Sequence, residues 1–179
     1  MKHIRMQADD FFNAYLVLEE NNKLLIKRLN NASENPAKLE TIMGVNYTGV
    51  VDIVCLAFSI ELYVKTLLNT LDIKIPREHN ILKLFKKLPK KTQQEIFNHD
   101  SIIQNPFCTQ GDKFSAKRFT NEHNSYDGFI EQLNAISDGF EKWRYSYEKT
   151  TLKYETFFAL AFIESLRSAI DNALNNQII

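Results

Sequence analysis

The stretch "VVDIVCLAFSIELYVKTLLNTL", Val50 to Leu71, completes a run from Val45 that is apolar almost all round. Its length and its lack of glycine and proline favour one helix over several strands, and such a helix is expected to be buried. The charged exceptions are Asp52, Glu61 and Lys65. Because Glu61 and Lys65 are four residues apart, they share a face and are predicted to pair. Burying either one unpaired would cost roughly 3–5 kcal/mol.

The whole chain of 179 residues is long enough for one compact domain with its own core, so residues 1–179 are predicted to form a single helical domain. It contains only 5 glycines and 4 prolines, which leaves few turns and again favours long helices. The 13 phenylalanines predict an interior dominated by aromatic packing.

Apolar residues at helical spacing predict the other elements. The first helix should run from about 9 to 30, with Asp9 and Asp10 suited to cap its start. After Pro76, a short helix "NILKLFKKL" opens at His79 or Asn80, and Pro89 ends it and starts another turn, "KKTQQEIFN". Residues 99–125 lack a pattern and are expected to be irregular, with room for a short helix.

Two further long helices are predicted, over about 124–149 and about 154–175. The first carries an apolar stripe with spacings of three and four residues: Tyr126, Phe129, Leu133, Ile136, Phe140, Trp143 and Tyr147. The predicted fold class is therefore all-α, an antiparallel bundle of four to five helices with a short helical insert.

Beside the aromatic stripe, Arg144 and Glu148 are four residues apart and project together from one face, with Tyr145 further round the helix. The ordinary interpretation is a helix surface pair of little energetic weight. The alternative is a site in which the guanidinium of Arg144 meets an anion.

Charge is balanced over the whole chain, 22 basic against 22 acidic residues, so the protein is not a strongly basic nucleic-acid binder overall. One stretch departs from this balance, with seven basic residues and a single acid, Glu78: Lys74, Arg77, Lys83, Lys86, Lys87, Lys90 and Lys91. We call Lys74–Lys91 the basic segment. It suits contact with phosphate, and the alternative is a solvated helix surface.

Cysteine usage and the N-terminus bear on the compartment. Cys55 and Cys108 form neither a disulfide framework nor a metal-binding spacing, which fits a reducing interior. The N-terminus has no apolar signal segment, and no stretch reaches the length of a membrane span. We therefore expect a cytoplasmic protein without membrane contact, without a structural metal and without a cofactor.

Three segments in this order resemble the HEPN superfamily (higher eukaryotes and prokaryotes nucleotide-binding domains). They are "AFSIELYVKTLL" (57–68), "PREHNILKLFKKLP" (76–89) and "FEKWRYSYE" (140–148). The last is similar to the F-x-x-W-R-Y-x-Y-E helix of a prokaryotic branch. The resemblance implies a helical bundle, often a homodimer, that commonly places this arginine helix at the dimer interface.

Many members of the family are metal-independent ribonucleases with an R-x4-6-H motif. Histidine suits the proton transfers of that reaction, and arginine suits the phosphate. Here no histidine follows Arg144 in the window, and Glu148 stands nearby. A carboxylate beside arginine is a poor base near neutral pH, so the motif is interpreted as degenerate. A literal match, Arg118 to His123, does not share a helix face and is interpreted as chance.

His79 is the better histidine, because the resemblance covers it and the basic segment surrounds it. A composite pocket of His79 with Glu61, Lys65, Arg144 and Glu148 is conceivable if the bundle brings them together. The candidate catalytic residues are thus Arg144, Glu148 and His79. The candidate ligand-binding residues are Glu61, Lys65, Tyr145, Lys83, Lys86 and Lys87.

Three functions follow from the resemblance. The first is an RNA- or nucleotide-binding module, a homodimer that works beside an antitoxin or nucleotidyltransferase partner in a defence or toxin–antitoxin system. The second is an active metal-independent endoribonuclease using Arg144 with His79 or Glu148. The third is a helical dimerisation or interaction protein.

Overall fold

A computed structural model describes residues 2–32, 51–103, 126–140 and 154–176. These ranges hold helices and turns and contain no strand, which confirms the all-α prediction. The helices are α1 (Lys2–Ala32), α2 (Val51–Thr70), α3 (Ile81–Phe85), α4 (Lys90–Phe97), α5 (Asp100–Ile103), α6 (Tyr126–Ile136) and α7 (Thr156–Asn175).

The central helix is α2, as its all-round apolar composition predicts. The five consecutive residues from Ile60 to Val64 are all buried, and because successive residues of a helix lie about 100° apart, they cover every side of its axis. The part of the predicted helix before Val51 lies outside the described residues. Because α2 is buried on every side, the helices packed around it hold its few charged side chains in place.

The helix α1 packs antiparallel to α2. Near the start of α1, Asp9 accepts a hydrogen bond of 2.6 Å from the Tyr63 hydroxyl, far along α2. Later in α1, the Asn22 amide donates to Asp52 at 3.1 Å, in the first turn of α2. Because later residues of α1 meet earlier residues of α2, the two helices run in opposite directions.

The last helix, α7, also runs antiparallel to α1. Arg5 pairs with Asp171 at 2.7 Å, and Arg167 lies 3.8 Å from Asp9. The Arg167 guanidinium also stands 6.0 Å from the centroid of the Tyr63 ring. These contacts confirm an antiparallel bundle.

Aromatic rings fill the interior between α6 and its neighbours. Phe129 of α6 is 2 % exposed and meets four other rings edge to face, with centroids 5.5–6.0 Å apart. The four are Phe85, Phe97, Phe158 and Phe162. Leu133 and Ile136 of the predicted stripe are fully buried, and Trp143 and Tyr147 lie outside the described residues.

The start of α1 was predicted wrongly. The helix begins at Lys2, so Asp9 and Asp10 lie inside it and cap nothing. Asp9 instead uses its carboxylate between helices, where it accepts the hydrogen bond from Tyr63. The same aspartate side chain can cap a helix or accept a hydrogen bond from another helix. Only the packing of the neighbouring helix decides which of the two it does.

The predicted unbroken helix over 124–149 is also wrong at one point. The helix α6 ends at Ile136, a turn follows at Ser137 and Asp138, and Gly139 and Phe140 are helical again. The Ser137 carbonyl accepts a hydrogen bond of 3.1 Å from the Ile81 amide of α3, outside its own helix. The predicted helix over 154–175 is confirmed within two residues, the one from Asn80 is present but ends at Phe85, and the helix α4 occupies the segment after Pro89 where another turn was predicted.

The turn after α6 brings the chain close to α2 and to Tyr154. A Cβ atom at Gly139 would lie 2.5 Å from the Tyr154 ring and 3.0 Å from the Ala57 Cβ. Only glycine fits at this approach without displacing a neighbour. In the described part of the chain, no helix combines the length and apolarity that a membrane crossing needs.

Candidate functional site

The site is built from Glu61 of α2. Its side chain is only 1 % exposed, and the Lys65 ammonium, one turn later, donates to its Oε1 at 2.7 Å. The pairing predicted from the spacing is therefore present. Because a buried carboxylate is costly without a counter-charge, Lys65, itself 14 % exposed, stabilises the ionised form of Glu61.

The same oxygen of Glu61 contacts a second residue from a different part of the chain. Nδ1 of His79 lies 3.0 Å from Glu61 Oε1 across a separation of 18 residues. An ionised carboxylate only accepts hydrogen bonds, so Nδ1 carries the proton and donates it. The side chain of His79 is 50 % exposed, and none of the described residues makes a hydrogen bond to its Nε2.

Glu78 and Asn80 fix the backbone on either side of His79. Glu78 Oε1 accepts hydrogen bonds from the His79 amide at 3.0 Å and the Asn80 amide at 3.1 Å, and Lys83 pairs with its other oxygen at 3.3 Å. The Asn80 amide donor contributes most to a pKa of Glu78 below its ordinary value. The Asn80 side chain caps α3 by accepting from the Lys83 amide at 2.9 Å.

The turn after α6 anchors the start of α3. The Leu82 amide donates to the Ser137 hydroxyl at 3.0 Å, and the Asn80 side-chain amide donates to Asp138. Ser137 in turn donates its hydroxyl proton to the Leu133 carbonyl at 2.6 Å. These anchors fix the start of α3, whose N-cap residue Asn80 directly follows His79.

Sequence reasoning missed the anchoring residues Glu78, Asn80, Ser137 and Asp138 as parts of the site. Asn80 carried a local signal, because its residue type and position suit an N-cap. Glu78 accepts from the amides of the two residues that follow it, whereas Ser137 and Asp138 accept hydrogen bonds from Leu82 and Asn80 in a distant segment. No spacing within the sequence reports such a contact.

Aromatic rings pack beside the imidazole of His79. The Phe140 ring lies with its centroid 6.2 Å from that of His79 and 4.7 Å from that of Phe58, roughly parallel to both. Phe11 of α1 meets Phe58 edge to face at 4.6 Å. One face of His79 is thus bordered by apolar rings, and its polar edge is directed by Glu61.

The basic segment is solvent-exposed at every one of its seven cationic positions. Lys83 is paired with Glu78. Within the described ranges, no acidic partner lies in ion-pair distance of the other six: Lys74, Arg77, Lys86, Lys87, Lys90 and Lys91. Predicted ligand-binding residues Lys86 and Lys87 therefore carry uncompensated charge at the surface.

The second oxygen of Glu61 differs from the first. Oε2 is buried, and no donor reaches it among the residues that the structure describes. The Lys65 ammonium and Nδ1 of His79 both donate to Oε1 instead. The carboxylate thus commits one oxygen to holding Lys65 and His79 together.

The structure therefore unites three members of the predicted composite pocket: Glu61, Lys65 and His79. The other two, Arg144 and Glu148, lie outside the described residues, as do Tyr145 and the Arg118–His123 match. In the described part of the chain, no group of three or more His, Cys, Asp or Glu side chains could hold a metal ion.

Comparison with known families gives one match. The model of the HEPN domain matches residues 48–172, which include α2 to α6 and most of α7. No curated protein and no solved structure matches the chain. The matched range covers all three segments that carry the resemblance in the sequence.

Proposed function

The chain belongs to the HEPN domain family, and on that premise we propose that it binds RNA or a nucleotide at His79 and the basic segment. The observation that carries the proposal is the half-exposed imidazole of His79, held at Nδ1 by a carboxylate that is 1 % exposed. A histidine that only packed would have no need of a buried charged partner, because burying a charge is costly.

The charge of the basic segment supports a phosphate-bearing ligand. Six exposed cations without acidic partners in the described ranges raise the local concentration of an anion and neutralise a phosphate backbone. His79 lies within this segment, so ligand phosphates and the imidazole meet on the same part of the chain. The proposed phosphate contacts are Lys86 and Lys87, with Lys83 shared with Glu78.

Arg144, Tyr145 and Glu148 enter the proposal through the family resemblance. The proposed role of Arg144 is a planar, permanently charged donor to phosphate, and Tyr145 and Glu148 are proposed beside it on the same helix. Phe140, four residues before Arg144, stacks with its ring centroid 6.2 Å from that of His79, which supports a place for the arginine helix near the imidazole.

Salt-dependent binding of a labelled single-stranded oligouridine, measured by fluorescence anisotropy in EDTA, tests the proposal. We expect the affinity to fall steeply between about 50 and about 200 mM salt. The double variant Lys86→Glu/Lys87→Glu should weaken binding by roughly tenfold or more. The matched control Lys27→Glu/Arg28→Glu reverses two adjacent exposed cations on α1 and should leave the affinity unchanged. Equal losses in both double variants would contradict the proposed site.

The Glu61–His79 pair favours a second candidate, a metal-independent endoribonuclease. In that reaction a ribose 2′-oxygen attacks the adjacent phosphorus, a base takes the 2′-proton, and an acid protonates the departing 5′-oxygen. The products are a 2′,3′-cyclic phosphate and a 5′-hydroxyl. His79 would act as the base and Arg144 would stabilise the phosphorane, with Glu148 as the other proton-transfer candidate. Cleavage of labelled RNA in EDTA that disappears in Arg144→Ala supports the enzyme.

Partners are proposed from the family alone. We propose a cytoplasmic homodimer that works beside an antitoxin or nucleotidyltransferase in a defence or toxin–antitoxin setting. The third candidate function, a helical dimerisation protein, makes the same dimer without binding RNA. Light scattering separates the two: dissociation by Arg144→Ala in a protein that binds no oligouridine favours the dimerisation protein.

A further inference from the structure

We infer that Glu61 is a positioning residue that presents Nε2 of His79 as a hydrogen-bond acceptor, so that the site recognises a ligand hydroxyl and prefers ribose to deoxyribose. This inference rests on the proposed function, since it names the group that the imidazole would read on an RNA ligand. It assigns the phosphate contacts to lysines and the hydroxyl contact to His79.

The first step concerns the proton of the neutral imidazole. Neutral histidine carries one proton, on either Nδ1 or Nε2. Oε1 of Glu61 lies 3.0 Å from Nδ1 and can only accept, so the proton is held on Nδ1. Nε2 then carries a lone pair and acts as an acceptor.

The second step concerns why Glu61 remains ionised. Lys65 donates to the same oxygen at 2.7 Å, and both side chains are largely buried, at 1 % and 14 % exposed. Protonating Glu61 would leave the Lys65 cation without a counter-charge, which costs several kcal/mol in such surroundings. The ion pair therefore keeps the carboxylate in the form that fixes the imidazole proton.

The third step concerns the geometry around the ring. Hydrogen bonds from the amides of His79 and Asn80 to Glu78 hold the backbone, and the Phe140 ring borders one face of the imidazole. The side chain is half-exposed, so its remaining nitrogen is accessible. Among the described charged groups, Glu61 contacts the ring, Lys65 pairs with the same oxygen of Glu61, and Glu78 accepts from the His79 amide.

The chemistry of the ligand follows from an outward-facing acceptor. A phosphate oxygen is itself an acceptor and gains nothing from a nitrogen lone pair, whereas a hydroxyl donates to it. The 2′-hydroxyl is the group that distinguishes RNA from DNA. One such hydrogen bond corresponds to a preference for RNA of roughly three- to tenfold.

The test compares oligouridine with oligodeoxyuridine, two probes that differ only in the 2′-hydroxyl. Affinities are measured by anisotropy in EDTA at about pH 8, above the ordinary histidine range near about 6.5. We expect the wild-type protein to bind the RNA probe more tightly. The variant His79→Phe, which keeps an aromatic ring against Phe140, should bind both probes equally.

Two variants separate positioning from a structural role. Glu61→Leu/Lys65→Met removes both charges of the buried pair with apolar side chains of similar length, so the fold is kept and Nδ1 loses its acceptor. The preference for RNA should then be lost. Glu61→Gln leaves Lys65 without a counter-charge and so costs stability, but its amide oxygen can still accept from Nδ1, and the preference should be retained in the folded variant. Nitrogen-15 spectra of His79 should show protonated Nδ1 in the wild type and Glu61→Gln only.

The outcomes distinguish the inference from the proposed function. Equal wild-type affinity for the two probes overturns the inference and leaves the proposed function standing. If neither probe binds, the proposed function fails, and protonated Nε2 in the spectrum of the free protein would overturn the positioning role as well. An RNA preference that survives in Glu61→Leu/Lys65→Met also overturns the role of Glu61.

Discussion

His79 Nδ1 and Glu61 Oε1 lie 3.0 Å apart although 18 residues separate them in sequence. The side chain of Glu61 is almost fully buried, and that of His79 is half-exposed. This contact links a charge inside the central helix to a nitrogen at the surface.

The buried pair of Glu61 and Lys65 should be energetically unlike an exposed pair of the same spacing. Lys65→Met leaves the 1 % exposed carboxylate of Glu61 without its cation and should lower the free energy of unfolding by about 3–5 kcal/mol. Lys23→Met removes the cation of the exposed Glu19–Lys23 pair and should change almost nothing. Urea unfolding followed by circular dichroism measures both.

Glu61→Leu/Lys65→Met should be more stable than Lys65→Met, because an apolar pair replaces a buried ion pair at little net cost. A double variant as unstable as the single one would show that the pair does more than neutralise charge. That result would also show that the double variant does not keep the stable fold that the RNA-preference test requires.

Ser137 should protect one amide of α3 and not its neighbour. The Leu82 amide donates to the Ser137 hydroxyl, whereas the Ile81 amide donates to the Ser137 backbone carbonyl. Ser137→Ala removes only the hydroxyl. Hydrogen exchange should therefore accelerate at Leu82 and stay slow at Ile81. Equal acceleration at both amides would mean that the whole turn after α6 had moved.

Gly139→Ala should destabilise the bundle, because the added Cβ would stand 2.5 Å from the Tyr154 ring and 3.0 Å from the Ala57 Cβ. We expect a loss of about 1–3 kcal/mol in the free energy of unfolding, the usual cost of overpacking. In a Tyr154→Ala background the ring is gone, and the additional cost of Gly139→Ala should shrink. An undiminished cost would mean that the added Cβ clashes with a residue other than Tyr154.

The buried hydroxyls of Tyr15 and Tyr63 should respond differently to removal. Tyr63 donates to Asp9 at 2.6 Å, so Tyr63→Phe should cost about 1 kcal/mol. The Tyr15 hydroxyl is buried and has no partner among the described residues, so Tyr15→Phe should be neutral or slightly stabilising. Thermal unfolding of the two variants compares them directly.

The pKa of Tyr15 also predicts an alkaline loss of stability. Burial, and then the charges of Glu19 and Asp52, raise the pKa of Tyr15 from 10.0 to about 12. The folded protein thus holds the phenol proton more tightly than the unfolded chain. The contribution of Tyr15 to stability is therefore fully present below pH 10 and is lost as pH rises toward 12. Tyr15→Phe should lessen the alkaline loss of stability, while Tyr63, Tyr126 and Tyr154, whose pKa values burial also raises, keep their share of it. An unchanged slope in the variant would assign the loss to other groups.

Sequence patterns predicted the parts of this molecule that depend on periodicity within one element. The apolar run around Glu61 predicted the buried central helix, and the spacing of Glu61 and Lys65 predicted their ion pair. The stripe with Phe129 and Leu133 predicted the inward face of α6.

The sequence did not predict what depends on contacts between elements. The turn at Ser137 interrupts an otherwise regular apolar stripe, and there the carbonyl and the hydroxyl of the serine accept hydrogen bonds from two amides of α3. Asp9 looked like a cap and instead meets Tyr63, 54 residues away. The Glu61–His79 contact was only conceivable from the sequence, since no spacing rule joins a helix interior to a distant turn.

The most direct test of the proposed site is the nitrogen-15 spectrum of the His79 imidazole during titration with oligouridine, with the signal assigned by its absence in His79→Phe. We predict that the Nε2 resonance shifts and saturates as RNA binds, while Nδ1 remains protonated against Glu61. Binding of the oligouridine with both nitrogen resonances unmoved would contradict the account.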